Sequence, residues 1–283
     1  MKAISRFVEK NASRTWLAAV YLFLYIPLIF LIVFSFNSTR QDGVFTGFSL
    51  RWYAALLDDS RLVEGFFLSL KVALLTATLS VILGSFAAFV LVRYKDSKGF
   101  SGRTLFYGLV NAPLVMPEVI IGMSLLLLMV AVQRAIGWPD RGFITIVLGH
   151  TLLGMAYATI VIQSRLSEMD RSIEDAAMDL GCRPIQVFFL VTLPNIAPAL
   201  VSSWLLSFTL SFDDVVISEF LSGPGVTTLP QVIFSYARRG VNPSIYAAAT
   251  LLIAAVSLGI LAYSVAVLRR QRRIARDILR VAP

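Results

Sequence analysis

Four carboxylates lie inside long apolar stretches of the chain, and these side chains are the ones that could do chemistry there. Glu118 directly follows a proline, Asp213 and Asp214 are adjacent, and Glu219 comes five residues after Asp214. A charge at the centre of a bilayer costs about 2.5–3.5 kcal/mol on insertion scales, so acids within such segments are candidates for function. Apart from Lys71, the same stretches hold no basic residue. The acids therefore predict a path for a cationic solute.

Aromatic rings accompany these acids. Phe208, Phe212 and Phe220 share a segment with the two aspartates, and ring faces attract cations. Structural roles remain open at the same positions. The glutamate that follows the proline could bond backbone groups freed at a helix break. The aspartates could be a helix-packing pair or could line a wet vestibule. Adjacent helical residues point about 100° apart, so only one aspartate can face a path squarely.

The elements that carry these groups are six apolar segments. The chain is 57% hydrophobic and only 15% charged, with a mean hydropathy of +0.78. Each segment reaches the length of about 20 residues that a membrane-spanning helix needs, and none alternates with the period of a spanning strand. The sequence predicts an all-α polytopic membrane protein with six transmembrane helices at about 16–36, 65–92, 104–132, 143–163, 195–222 and 244–268.

Basic residues orient this predicted bundle. With the N-terminus in the cytoplasm, Lys and Arg number 17 in the cytoplasmic segments and 7 in the outer ones, which places both termini in the cytoplasm. The net charge of +8 is spread over short segments between apolar runs, a distribution that argues against nucleic-acid binding. We expect a basic N-terminus (1–15), a transmembrane domain (16–268) that includes a cytoplasmic loop (164–194), and a basic tail (269–283).

The predicted cytoplasmic loop has the features of two short helices joined by a turn. Ser172 is placed to cap a helix N-terminus, and Asp175, three residues later, suits the partner position of a capping box. Glu174 and Asp175 also suit the positive end of the helix dipole. The loop therefore predicts a helix that begins at Ser172.

The other end of this predicted helix is equally marked. Gly181 stands where a left-handed residue would end the helix, and Pro184 suits the first turn of a second helix that leads to Pro194. One apolar stripe runs along the first helix at i, i+3, i+4 and i+7. It consists of Ile173, Ala176, Ala177 and Leu180.

The spacing D-A-A-x3-G-x9-V-x-L-P over 175–194 resembles the E-A-A-x3-G-x9-I-x-L-P loop of binding-protein-dependent ABC importer permeases. The resemblance implies the type I permease fold of that family, in which this loop forms the coupling helix that docks on the ATP-binding subunit. It implies that Asp175, Ala176, Ala177 and Gly181 make that contact. The chain departs from the pattern at two positions, Asp for Glu and Val for Ile, and both changes conserve charge or shape.

Residues 111–122, 204–218 and 222–230 resemble the permeases of putrescine and spermidine importers, most closely the second permease of putrescine systems. The resemblance implies a multi-pass protein of the bacterial inner membrane that works with a second permease, ATP-binding subunits and a periplasmic solute-binding protein. The chain has no G-x-x-x-x-G-K-[ST] phosphate loop. We therefore expect no catalytic, cofactor or metal site here, and ATP with Mg²⁺ on the partner subunit.

Three other interpretations of the sequence remain open. The chain could be an ABC permease for another small solute, or an ion-coupled carrier with Glu118 and Asp213 as proton sites. It could also be an intramembrane enzyme built around His150, the only histidine. We expect His150 to be a structural residue with hydrogen-bond partners, and Gly149 and Gly154 beside it to mark close helix contacts.

Overall fold

The computed structural model describes residues 2–39, 44–93, 102–238 and 243–254, with isolated positions from 257 to 269. The described chain is almost entirely helical. Five of its helices are long and apolar enough to cross a membrane, and residues 243–254 form a further apolar helix at the start of the predicted sixth span. The predicted basic tail, 269–283, lies outside the described residues except for Arg269.

The chain divides into two compact units, Met1–Ser60 with Ser235–Pro283, and Arg61–Phe234. In the first unit, α1 (Lys2–Phe34) contains the candidate span Ala12–Phe34, of which only 6% is buried. A short helix, α2 (Arg51–Asp58), follows. The indole Nε1 of Trp52 on α2 donates to the carbonyl of Asn37 at 2.6 Å, which ties α2 to the end of α1.

The second unit carries the sites discussed below. It contains α3 (Ser60–Arg93, from Arg61 onward), α4 (Arg103–Val115), α5 (Glu118–Ile136), α6 (Phe143–Glu168), α7 (Ser172–Asp179) and α8 (Pro184–Val187). A π-helical turn (Phe188–Thr192) then leads into α9 (Leu193–Phe212), α10 (Val216–Leu221) and the start of α11 (Leu229–Arg238).

Helix α6 is the central helix of the second unit, with 61% of its apolar window buried. As predicted, glycines permit close helix contacts along it. A Cβ at Gly154 would stand 2.4 Å from the hydroxyl of Ser80 on α3, and a Cβ at Gly149 would stand 2.3 Å from Leu221 on α10. Without side chains at these two positions, the neighbouring helices approach the α6 backbone.

Two predicted spans are interrupted. The segment 104–132 is not one helix, because Met116 is extended (ψ 137°) before Pro117 and separates α4 from α5. Proline disfavours a helical conformation in the residue before it. Glu118 therefore begins a helix instead of lying near the middle of one, and only Glu118–Ile136 is long enough to be a candidate span.

The predicted fifth span, 195–222, is displaced and broken. Its helix starts earlier, at Pro184, and continues to Phe212, while α10 forms a separate short helix after a gap at 213–215. The helix that begins at Pro184 does not end at Pro194. The π-helical turn ends at Thr192, two residues before this proline, and the widened turn accommodates the missing N–H donor.

Candidate functional site

The first helix of the loop, α7, begins at Ser172 as predicted but is capped differently. Ser172 is the first helical residue, and the N-cap position falls on Arg171, whose side chain makes no capping bond. The Oδ1 atom of Asp170 accepts the backbone N–H of Ser172 at 2.9 Å. Hydrogen bonds from Ser172 hold the pKa of the Asp170 carboxyl below its ordinary value. The capping box predicted for Ser172 and Asp175 is therefore wrong, because an acid two residues earlier performs the capping.

The end of α7 agrees with the prediction. Gly181 has a left-handed backbone (φ +89°). Its N–H bonds the carbonyl of Met178 at 2.9 Å, and the N–H of Cys182 bonds the carbonyl of Ala177 at 3.1 Å. These two bonds form a Schellman motif, which closes the helix and turns the chain. Pro184 then occupies the first turn of α8, as expected.

Glu174 occupies a position that the sequence did not indicate. Its carboxylate is buried, forms an ion pair with Arg93 at the end of α3, and accepts a hydrogen bond from the hydroxyl of Thr192 in the π-helical turn. A buried carboxylate with a charged partner and a hydroxyl donor is well satisfied. Glu174 therefore joins α7 to two long helices, and its carboxylate is turned into this chain and away from the surface that a partner would contact.

The remaining face of α7 is open. Asp175 and Ala176 are exposed, and Ala177 is half-buried. The predicted apolar stripe is mostly uncovered within this chain, since Ile173 is 47% exposed and Leu180 is 87% exposed. A short helix with apolar side chains facing outward, fixed from behind by a buried ion pair, has the form of a docking element.

The gap between α9 and α10 contains the aspartate pair, and the two side chains differ. Asp213 is exposed. The Asp214 carboxylate accepts the backbone N–H of Ser218 at 2.8 Å and of Ile217 at 3.3 Å, and its Oδ2 atom lies 3.0 Å from Nε2 of His150. Asp214 therefore satisfies the first free N–H groups of α10.

His150 has the hydrogen-bond partners that the sequence analysis expected. On the buried side of α6, its Nδ1 atom lies 2.7 Å from the hydroxyl of Ser211 on α9, and its Nε2 atom lies 3.2 Å from the hydroxyl of Ser218 on α10. Together with Asp214, these contacts join three helices across the break. No spacing pattern in the sequence links the histidine to an aspartate 64 residues away.

The aromatic residues of α9 form a continuous ladder. The rings of Trp204 and Phe208 stack with centroids 5.5 Å apart, and the rings of Phe208 and Phe212 stack at 5.7 Å. The edge of Phe66 on α3 meets Phe212 at 6.1 Å. Trp204 was not among the path residues predicted from the sequence, although its i, i+4 and i+8 spacing with the two phenylalanines indicates one helix face. Asp213 directly follows the last ring of the ladder.

The other predicted path residues are placed differently. Phe220 packs against Gly122 on α5, where a Cβ would stand 2.6 Å from its ring. Glu219 accepts a hydrogen bond from Gln231 at 3.1 Å. Glu118 is exposed, and within the described ranges the structure gives its carboxylate no hydrogen bond or ion pair and does not join it to Asp213. The described residues also contain no cluster of three His, Cys, Asp or Glu side chains suited to a metal ion.

Comparison with known proteins identifies the family. The family described as "Binding-protein-dependent transport system inner membrane component" matches residues 80–275. The chain is 52% identical over 262 residues to the putrescine transport system permease protein PotI of Escherichia coli K12, covering 92% of each chain. It is 36% identical over 267 residues to the spermidine/putrescine transport system permease protein PotC of Haemophilus influenzae, covering 94% of this chain and 99% of the relative.

Solved structures share the fold. A chain in the crystal structure of a bacterial ABC transporter that imports alginate matches with a TM-score of 0.68 and 18% identity, covering 93% of this chain and 98% of that one. A chain of the inward-facing MetNI methionine ABC transporter matches with a TM-score of 0.57 and 17% identity, covering 74% and 95%. These matches confirm the predicted fold class, the type I permease fold of ABC importers.

Proposed function

The chain belongs to the family of binding-protein-dependent transport system inner membrane components, and from this membership we propose that it imports a polyamine. It would form, with a second permease, the path by which putrescine or spermidine crosses the inner membrane. The assignment of a polyamine as the substrate rests on the identity of 52% to a permease named for putrescine transport, over 92% of both chains. The relative at 36% identity is also named for spermidine and putrescine.

The chemistry of a polyamine suits the α9 surface. Such a solute is a flexible chain of ammonium groups separated by methylenes. Stacked rings at Trp204, Phe208 and Phe212 offer faces to ammonium groups and apolar surface to the methylenes. The exposed carboxylate of Asp213 stands at the end of this ladder. We assign Asp213 to contact with the solute, and Asp214 to holding α10 in place.

Energy for transport would enter through α7. This chain would catalyse no bond chemistry, and ATP and Mg²⁺ would bind to separate ATP-binding subunits. Closure of those subunits would push on the exposed face of α7, at Asp175, Ala176 and the apolar stripe. The ion pair between Glu174 and Arg93 would carry the displacement into α3. A periplasmic binding protein would deliver the solute on the opposite side, with both termini of this chain in the cytoplasm.

The proposal is tested with the assembled transporter in proteoliposomes. We expect ATP-dependent uptake of radiolabelled putrescine that excess unlabelled putrescine or spermidine suppresses and excess methionine does not. A transporter whose ATP-binding subunits cannot hydrolyse ATP is the control for leakage. Uptake that persists in this control and depends on a proton gradient would refute the ATP-driven mechanism. Transport of another solute without competition by polyamines would refute the assignment of a polyamine as the substrate.

A further inference from the structure

A cavity of about 310 Å³ opens at one end of the second unit, where two candidate spans finish. Its walls come from the last turns of α3 and α6, the first residue of α4, and the residues just before α7. Among the described residues that line it, two are arginines, Arg103 and Arg171, and none is a carboxylate. The cavity therefore holds two positive charges at the level where helices leave the apolar layer.

The two arginines are held in place by the same helix end. Arg103 donates through Nε and a terminal nitrogen to the carbonyl of Leu91, at 3.4 and 3.3 Å. Arg171 donates to the carbonyl of Val92 at 3.2 Å. Each guanidinium has five N–H donors, so both retain donors for a further acceptor. The partial negative charge of a helix C-terminus offsets about half of one positive charge.

Other arginines nearby already have acidic partners. Arg93 pairs with Glu174, and Arg165 lies 3.7 Å from Glu168. Within the part of the chain that the structure describes, neither Arg103 nor Arg171 forms an ion pair. Two guanidinium groups that backbone carbonyls hold in a cavity with no carboxylate among its described lining residues attract an anion. Bidentate recognition by arginine favours a phosphate group.

The rest of the lining indicates an amphiphile. Among the apolar lining residues, Val92 and Met169 are half-buried and give apolar surface beside the arginines, whereas Leu91 and Leu166 are buried; Gln163 and Ser167 are polar. A free inorganic anion would gain nothing from this apolar surface, whereas a phospholipid places a phosphate next to glycerol and acyl carbons. Basic pockets at the ends of membrane helices bind anionic headgroups in this way. We propose that this cavity binds the phosphate of an anionic phospholipid through Arg103 and Arg171.

The bound lipid would also restrict the movement of α7. Arg171 immediately precedes α7, and its carbonyl accepts the backbone N–H groups of Glu174 and Asp175 at 3.0 Å. A phosphate that holds the Arg171 side chain against the end of α3 would restrict the start of α7. We therefore expect anionic lipid to stabilise this part of the assembled transporter, and phosphatidylcholine to have no such effect.

Binding is measured on the assembled transporter in detergent, by native mass spectrometry and by the change in Tm on adding lipid. The probes are phosphatidylglycerol, phosphatidylcholine and inorganic phosphate. We expect phosphatidylglycerol alone to bind and to raise the Tm. The double variant Arg103→Gln/Arg171→Gln should weaken its affinity about tenfold or more. The control Arg165→Gln removes one positive charge from an exposed position outside the cavity and should retain wild-type affinity.

A second variant covers the case in which loss of the arginines impairs folding. Ser167→Asp places a carboxylate in the cavity without removing the bonds to Leu91 and Val92, and it should weaken phosphatidylglycerol binding, whereas Ser167→Asn should not. Equal affinity in Ser167→Asp and wild type would overturn the proposal, as would an equal loss in Arg165→Gln. If inorganic phosphate raises the Tm as much as phosphatidylglycerol does, the site binds free phosphate, and the proposal of a phospholipid ligand is overturned.

Discussion

The buried carboxylate of Glu174 provides the sharpest prediction. Its replacement by glutamine keeps the side-chain length and an oxygen that can accept the hydroxyl of Thr192, but it removes the charge that neutralises Arg93. We therefore expect Glu174→Gln to destabilise the chain by leaving a cation beneath α7 without its counter-charge. The change isolates the ion pair from the packing around it.

The size of the effect follows from the exposure of the two side chains. Loss of one partner from a fully buried pair costs about 3–5 kcal/mol. The Glu174 side chain is 7% exposed, but that of Arg93 is 18% exposed and can recover some hydration. We therefore expect a loss of about 2–3 kcal/mol in the free energy of unfolding. Solute-stimulated ATP hydrolysis should fall as well, because α7 is no longer fixed to α3.

The assay combines unfolding of the purified chain by a denaturing detergent with ATP hydrolysis by the assembled transporter. The next residue supplies the control, because Asp175 lies on the same helix but is exposed. Asp175→Asn should leave the free energy of unfolding unchanged and reduce only the stimulated hydrolysis. If Glu174→Gln and Asp175→Asn have the same stability, then the buried pair contributes no stability and this reasoning is refuted.

Three further predictions concern the other sites. Gly181→Ala should lower the free energy of unfolding by about 1–2 kcal/mol. A Cβ there would meet nothing within 4 Å, so the cost comes from the left-handed backbone alone. The control Gly102→Ala, at a position that is equally open but has a φ of −84°, should cost little in thermal unfolding. His150→Ala should cost about 1–3 kcal/mol in the same measurement, because it removes the imidazole that bonds the Asp214 carboxylate and the hydroxyls of two serines. Asp213→Asn should lower putrescine uptake with an unchanged Tm, and Asp214→Asn should lower the Tm; equal Tm losses in both would contradict the assignment.

Local patterns allowed much of the fold to be predicted. Apolar segments of sufficient length located five candidate spans and the start of the sixth, because lipid leaves the backbone few alternatives to a helix. The left-handed Gly181 and the first-turn Pro184 were also predicted correctly. Each is a preference of one residue type for one backbone conformation, and such preferences act within a few residues.

The interactions that the sequence did not reveal are those between distant segments. The contacts of Asp214 with His150 and of Glu174 with Arg93 span 64 and 81 residues. Nothing in the spacing indicates such pairs, since helix packing decides which side chains meet. The break at Pro117 was predictable from the restriction on Met116, but apolar composition alone gave one continuous span. Capping by Asp170 was missed because Ser172 also fits the rule.

We propose that the exposed face of α7 binds the ATP-binding subunit, and a single substitution on this face separates that contact from folding. Ala176→Arg places a long charged side chain on that face, where the wild-type side chain is small and exposed. We expect the variant to keep the wild-type Tm as an isolated chain, to lose co-purification with the ATP-binding subunits, and to lose putrescine uptake. Co-purification and solute-stimulated ATP hydrolysis equal to wild type would show that this face is not the docking surface.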